Sequence, residues 1–174
     1  MDDRKTVARS ATGASPVKRT RVIRLGVIAD THGFYDLAIE KHFSGVKEIL
    51  HAGDIGSEDI LRKLRQIAPV HAIVGNIDIH PLTSKHPATE VVEVAGKTFY
   101  MLHNLKALDL DPKAAGFAAV ICGHSHKPEF FFENGVLFFN PGSAGPRRFS
   151  LPISVGRIRI EDGELFPEIM VLEE

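Results

Sequence analysis

Residues 22–33 read VIRLGVIADTHG, and the fold turns on them. Val22 to Ala29 is apolar with few charges and so suits a strand buried inside a sheet. The run ends at Asp30-Thr31-His32-Gly33, a polar turn. Working outward, the same order repeats. Residues 36–43, DLAIEKHF, set Leu37, Ala38 and Ile39 among charges and fit a helix. Val46 to His51 reads as a second strand ending at Gly53-Asp54. Ser57 then stands as N-cap to a helix with Ile60, Leu61, Leu64 and Ile67 at helical spacing, and Pro69 lies beyond its end. Val70 to Val74 is a third strand, ending at Gly75-Asn76. This alternation favours parallel strands joined by helical crossovers. Such sheets gather ligands outside the carboxyl ends of their strands.

The second half changes character. Thr89 to Val94 and Lys97 to His103 form a hairpin across Ala95-Gly96, and a short helix is expected around Asp111 to Phe117. Ala118 to Cys122 is a further strand. Asn134-Gly135 and Asp162-Gly163 each separate two apolar runs and signal tight hairpins. Together the halves suggest an α/β chain of two packed sheets, the first largely parallel, with helices outside. Neither an internal repeat nor a dividing linker is visible, so residues 22–174 are expected to form one domain. Residues 1–21 carry Arg4, Lys5, Arg9, Lys18, Arg19 and Arg21 against Asp2 and Asp3, with little apolar periodicity, and read as a flexible, untargeted tail.

Composition removes several classes. The longest apolar run, Phe130 to Phe139, is broken by Glu133, Asn134 and Gly135, and none approaches the roughly 20 residues of a membrane span. Cys122 is the only cysteine, so no internal disulfide can form, which fits a reducing, cytoplasmic setting. A formal net charge of −1 argues against a protein built to coat nucleic acid.

Five polar segments follow apolar runs: Asp30-Thr31-His32, Gly53-Asp54, Gly75-Asn76, His103, and Gly123-His124-Ser125-His126. Carboxylate, amide and imidazole donors are what transition metals bind. Residues i and i+2 share a side of an extended chain, so Asp30 can converge with His32, and His124 with His126. One zinc-like ion takes about four or five ligands. Asp30, His32, Asp54, Asn76, His103, His124 and His126 therefore fit two ions sharing a carboxylate, with Asp54 as the natural bridge. Two divalent ions, two aspartates and a hydroxide leave a centre of about +1, suited to phosphate oxygens.

In this order the motifs resemble the calcineurin-like metallophosphoesterase superfamily. Asn140-Pro141-Gly142-Ser143 after Gly-His-Ser-His, with the small size, is similar to its short YfcE-type phosphodiesterase branch. The resemblance spans Val22 to Ile160. It implies a four-layer α/β/β/α sandwich, two mixed β-sheets flanked by helices. It also implies two divalent metal ions, manganese first, with nickel, zinc, iron or magnesium as alternatives. By position it gives Asp30, His32, Asp54 and His126 to one ion and Asp54, Asn76, His103 and His124 to the other. A bridging hydroxide would attack phosphorus in line. Asp54, Asn76 and His103 are expected to act in catalysis. Many superfamily members place a general-acid histidine after Gly-Asn; here Ile77 stands there, and Asp78 is a candidate substitute. Asn104 follows His103 where glycine is frequent, and with Arg147 it is a candidate for substrate binding.

Plainer readings cover the rest. His42, His71, His80 and His86 are expected to be surface or core residues, and His51 the end of a strand. Cys122 is expected to be a buried core residue. Phe130, Phe131, Phe132, Phe138 and Phe139 are expected to pack as strand residues rather than stack bases. Arg147 and Arg148 read as a solvated pair that could also meet phosphate, and Asn140 to Ser143 as a turn. The function expected is phosphodiester, or else phosphomonoester, hydrolysis. Its rivals are a non-catalytic interaction scaffold of the same fold, which the retromer subunit of this fold exemplifies, and a nuclease. The partner expected is a small phosphate-ester substrate; a homo-oligomer is left open, and neither nucleic acid nor membrane is expected. Metal binding is expected to weaken as pH falls below roughly 6–6.5, the ordinary histidine range.

Overall fold

Strand β1 (Ile23–Ile28) lies at the centre of a five-stranded sheet, between a parallel neighbour, β2 (Glu48–His51), and an antiparallel one, β9 (Ser154–Glu161). A computed structural model describes residues 21–172. The tail expected over residues 1–21 falls, Arg21 excepted, outside the described residues. The sheet runs β10–β9–β1–β2–β3, with β3 at Val70–Ala72 and β10 at Glu164–Val171. Both faces of β1 are covered, which is why it reads as a continuous apolar run. Leu25, Val27 and Ala29 point into the core between the sheets, and Ile28 points to the helices.

Helix α1 (Ala38–His42) and helix α2 (Glu58–Leu64) cover that outer face. Ser57 Oγ accepts the Asp59 N–H at 3.2 Å, the cap expected from the sequence. Ile39, Phe43, Ile60, Leu61 and Leu64 are buried there with Ile28 and Ile49. Each such side chain contributes roughly 1.5–3 kcal/mol. Truncating one, Leu61→Ala for example, costs about 2–5 kcal/mol.

The second sheet runs β4 (Thr89–Val94), β5 (Lys97–Leu102), β6 (Ala119–Ile121), β8 (Val136–Asn140) and β7 (Glu129–Glu133). Phe99, Met101, Ile121, Leu137 and Phe139 meet the first sheet. Val120, Cys122, Val136 and Phe138 face outward beneath Leu105 and Leu108. That outer layer is thin, a 3-10 helix over Leu105–Ala107 and the loop after it. Among the described residues no helix is long and apolar enough to cross a membrane.

Four details depart from the sequence reading. The β9–β10 hairpin joins β1 antiparallel, so the first sheet has two parallel and two antiparallel pairings rather than a parallel majority. Residues 111–117 form turns, not a helix: Asp111 Oδ1 accepts the N–H groups of Lys113 and Ala114, and Gly116 takes φ +78°. Helix α3 (Leu82–Lys85) is too short to leave a periodic signal. The phenylalanines pack across β7 and β8 as expected, Phe131 stacked on Phe138 and Phe130 edge-on to Phe139, but β7 is an edge strand and Phe130, Phe131 and Phe132 stay 44–54% exposed.

Candidate metal centre

The seven candidate ligands leave the carboxyl ends of β1, β2, β3, β5 and β6, all on one rim of the two sheets. They do not converge through extended chain. Asp30, His32, Asp54, His124 and His126 have φ of +53°, +48°, +53°, +69° and +59°. Left-handed backbone is uncommon outside glycine, though aspartate and histidine tolerate it best. It turns each Asp-x-His or His-x-His pair inward more sharply than a strand could. Such residues store of order 1–3 kcal/mol each and persist where the surroundings fix them. Gly53 and Gly75 are the close approaches that make room. A Cβ on Gly53 would stand 2.7 Å from His103 Nδ1, and one on Gly75 would overlap Asp54 Oδ1.

Two facing sets result. On one side His32 Nε2 and His126 Nε2 are 3.2 Å apart, and His126 Nε2 is 3.3 Å from Asp30 Oδ1. On the other, His103 Nε2 and His124 Nδ1 lie 3.1 and 2.9 Å from Asn76 Oδ1. Asp54 spans the sets: Oδ1 is 3.3 Å from His103 Nε2 and Oδ2 is 3.9 Å from His32 Nε2. Asp30 also reaches across, 3.9 Å from His103 Nε2. Asp30, His32 and His126 offer donor atoms within 4.8 Å of one another, and so do Asp30, Asp54 and His103.

The donor chemistry fits cations. His103 Nδ1 donates to the Ala52 carbonyl at 2.7 Å, which leaves its Nε2 lone pair facing the Asp54 carboxylate. Two acceptors at that distance repel unless a proton or metal lies between them. Asp30 Oδ1 and His126 Nδ1 are buried without a hydrogen-bond partner among the described residues. Two nitrogens on one four-coordinate ion sit about 3.4 Å apart, and closer on a six-coordinate one, which brackets the His32–His126 separation.

Electrostatics points the same way. Burial pushes Asp30 up to about 7; His103 and the His124 N–H oppose that, while Asp54 adds to it. A cation would restore its ionised form. Burial lowers His32, and with the Arg148 charge it takes His126 down to about 4, so both rings are neutral and ready to bind metal. Burial also opposes the charged forms of Asp54 and His103. Burial is the largest single influence on each, but their mutual hydrogen bond, the backbone partners Ile77 and Ala52 and the opposite charges nearby together outweigh it, lowering Asp54 and raising His103.

Surrounding side chains hold these loops. His51 ends β2, as expected, and is fully buried: its Nε2 donates to Thr31 Oγ1 at 3.0 Å while its Nδ1 accepts the Gly53 N–H at 3.3 Å. Burial takes it down to about 4, so it stays neutral. Thr31 Oγ1 in turn donates to the Ile55 carbonyl at 2.9 Å. Asn140 Nδ2 donates to the Gly123 carbonyl and Ser125 Oγ at 2.8 and 2.9 Å, and Ser143 Oγ donates to the Asp30 carbonyl at 2.9 Å. The Asn140–Ser143 turn thus braces two ligand loops at once.

Asp78, the expected substitute acid, is placed differently. Its carboxylate accepts the N–H groups of Ile55 (3.0 Å), Gly56 (2.8 Å) and Gly75 (2.8 Å), so both oxygens are engaged by backbone amides. Asn104 caps the 3-10 helix, its Oδ1 accepting the Lys106 N–H at 3.1 Å, and lines two cavities that His124 also lines. Arg147 is exposed, and its neighbour Arg148 lines the cavity against His124 and His126. His71 lies between Glu48 and Glu90, and His86 against Glu58, apart from the cluster.

Residues 23–163 match the calcineurin-like phosphoesterase superfamily domain. A probable metallophosphoesterase of Methanocaldococcus jannaschii is 33% identical over 164 residues, 86% of this chain and 82% of that protein. Among solved structures, an archaeal phosphodiesterase superposes with TM-score 0.69 at 21% identity, covering 86% of this chain and all of the other. Vacuolar protein sorting 29 of Cryptosporidium parvum does so with TM-score 0.69 at 18% identity, covering 88% and 99%. On its sequence match along most of its length, the chain belongs to the calcineurin-like phosphoesterase superfamily.

Proposed function

We propose that this protein is a metal-dependent phosphoesterase, chiefly a phosphodiesterase, that uses two divalent cations, manganese foremost. One observation carries the reading: seven donors from five loops meet with an orphaned, buried Asp30 oxygen beside two imidazole pairs. Asp30, His32, Asp54 and His126 would hold one cation, and Asp54, Asn76, His103 and His124 the other. When bound, the cations supply a nucleophile from water at neutral pH and positive charge for phosphate oxygens. The chain's own residues do the remainder. Ala52 fixes the His103 tautomer, and Asn140 and Ser143 set the loop positions. Asp78 serves as a tie for three backbone amides rather than as an acid, so the leaving group departs without a side-chain proton from that position.

Diester preference draws support from shape. More than one cavity adjoins His124, among them one of about 560 Å3 lined by Asn104, Lys106 and Glu129 and another bounded by Arg148. A diester has two limbs to place and a monoester one. A scaffold reading rests on the exposed phenylalanines of β7, and it requires no paired ligand cluster. A stoichiometric protein partner together with metal content near zero would favour it. The test is removal of metal by chelation and its return, assayed on aryl phosphodiesters and monoesters. Turnover should vanish and recover, and Asp54→Ala should abolish it. No metal-restored turnover on either ester class, or wild-type turnover by Asp54→Ala, would defeat the proposal.

A further inference from the structure

The small cavity beside residues 148–151 adjoins two of the proposed ligands, His124 and His126, and its far wall, Arg148, Phe149 and Leu151, takes no part in gripping the cations. It measures about 210 Å3 and is lined by His124, Ser125, His126, Arg148, Phe149 and Leu151. Pockets that take a whole small ligand span roughly 300–1,000 Å3, so this one suits a single limb of a substrate anchored elsewhere. The Leu151 N–H donates to the Arg148 carbonyl at 3.2 Å, closing a turn with Phe149 inside it. Phe149 is 95% exposed and has φ +54°. Left-handed backbone is an outlier for a bulky residue, and here no burial offsets it. The packing of the fold does not call for an aromatic ring at this place. Arg148 brings a positive charge to the same cavity, close enough to bias Asp30, His32 and His126 toward their deprotonated forms.

We propose that Arg148 and Phe149 form a subsite for the aromatic limb of a phosphate ester, with nucleoside phosphates as the substrate class. The guanidinium suits a phosphate oxygen, and the exposed ring suits the flat face of a base. This rests on the phosphoesterase reading above and names the substrate class for it.

The manganese-loaded full chain can be titrated calorimetrically with adenosine 5′-monophosphate and with ribose 5-phosphate, which differ by the base. The nucleotide should bind about tenfold more tightly, a modest value for one base stacked on one ring. Phe149→Ala should cut that ratio below about threefold, Phe149→Tyr should keep it, and Arg148→Ala should weaken both ligands. With Phe149 so exposed, these substitutions leave the core untouched. A wild-type ratio near one, or an unchanged ratio in Phe149→Ala, would overturn the subsite. Base discrimination without metal-restored turnover would leave the subsite standing and remove the hydrolase. Turnover without discrimination would do the reverse.

Discussion

Asp78→Asn separates two roles that sequence alone could not. Asp78 is 7% exposed. Its Oδ2 accepts the Ile55 and Gly75 N–H groups, and Oδ1 accepts that of Gly56. In the asparagine variant only one oxygen remains. Placed at the Oδ2 position it keeps two bonds, but the new NH2 then faces the Gly56 N–H, donor against donor. Leaving one partly buried donor unpaired costs about 1–3 kcal/mol. In a domain of this size that lowers Tm by about 2–12 °C. Water reaching the exposed Gly56 would place the loss at the lower end. Asp78→Ala frees all three amides, and the expected loss rises to about 2–5 kcal/mol. Thermal unfolding followed by circular dichroism measures both. The pH–rate profile of Asp78→Asn should keep both its limbs, because both carboxylate oxygens are taken up by backbone amides. A Tm within about 1 °C of wild type, combined with loss of one limb of that profile, would refute the structural role and restore the acid.

Two further outcomes follow from the ligand loops and their charges. Manganese affinity of the metal-free protein should fall as pH drops below about 7, by about tenfold per unit where one proton must leave. The proton belongs to Asp30, raised to about 7 by burial, and to His103, also raised, rather than to His126, which is neutral down to about 4. The window therefore sits above the ordinary histidine range that the bare sequence suggests, and isothermal titration showing flat affinity from pH 5.5 to 8 would contradict it. Asn140→Ala removes donors to Gly123 and Ser125, so metal affinity or turnover should drop about 10–100-fold. Affinity and turnover within twofold of wild type would mean that the turn does not position the ligand loop.

The ligand loops were readable because each apolar run stops at a residue that has no reason to end a strand except chemistry. Asp30, Asp54, Asn76 and His103 are of this kind. The hairpins were readable because Asn134-Gly135 and Asp162-Gly163 take left-handed turns that few other pairs accept. Pairing of β9 with β1 was not, since it joins Ile160 to Ile23 across most of the chain and leaves no local trace. The left-handed ligands were also hidden. Spacing i, i+2 suggests convergence whether the chain is extended or kinked, and only coordinates tell which. Asp78 shows a similar limit: the sequence places a carboxylate near the centre but does not say which way it turns. Arg147 and Arg148 are alike in sequence, and only the fold shows that Arg148 lines the cavity beside His124 and His126.

The most direct test is an anomalous difference map from crystals grown with manganese. Two peaks should appear about 3.5–4 Å apart, one among Asp30, His32 and His126, the other among Asn76, His103 and His124, with Asp54 between them. A single peak, or none within reach of Asp54, would contradict the account.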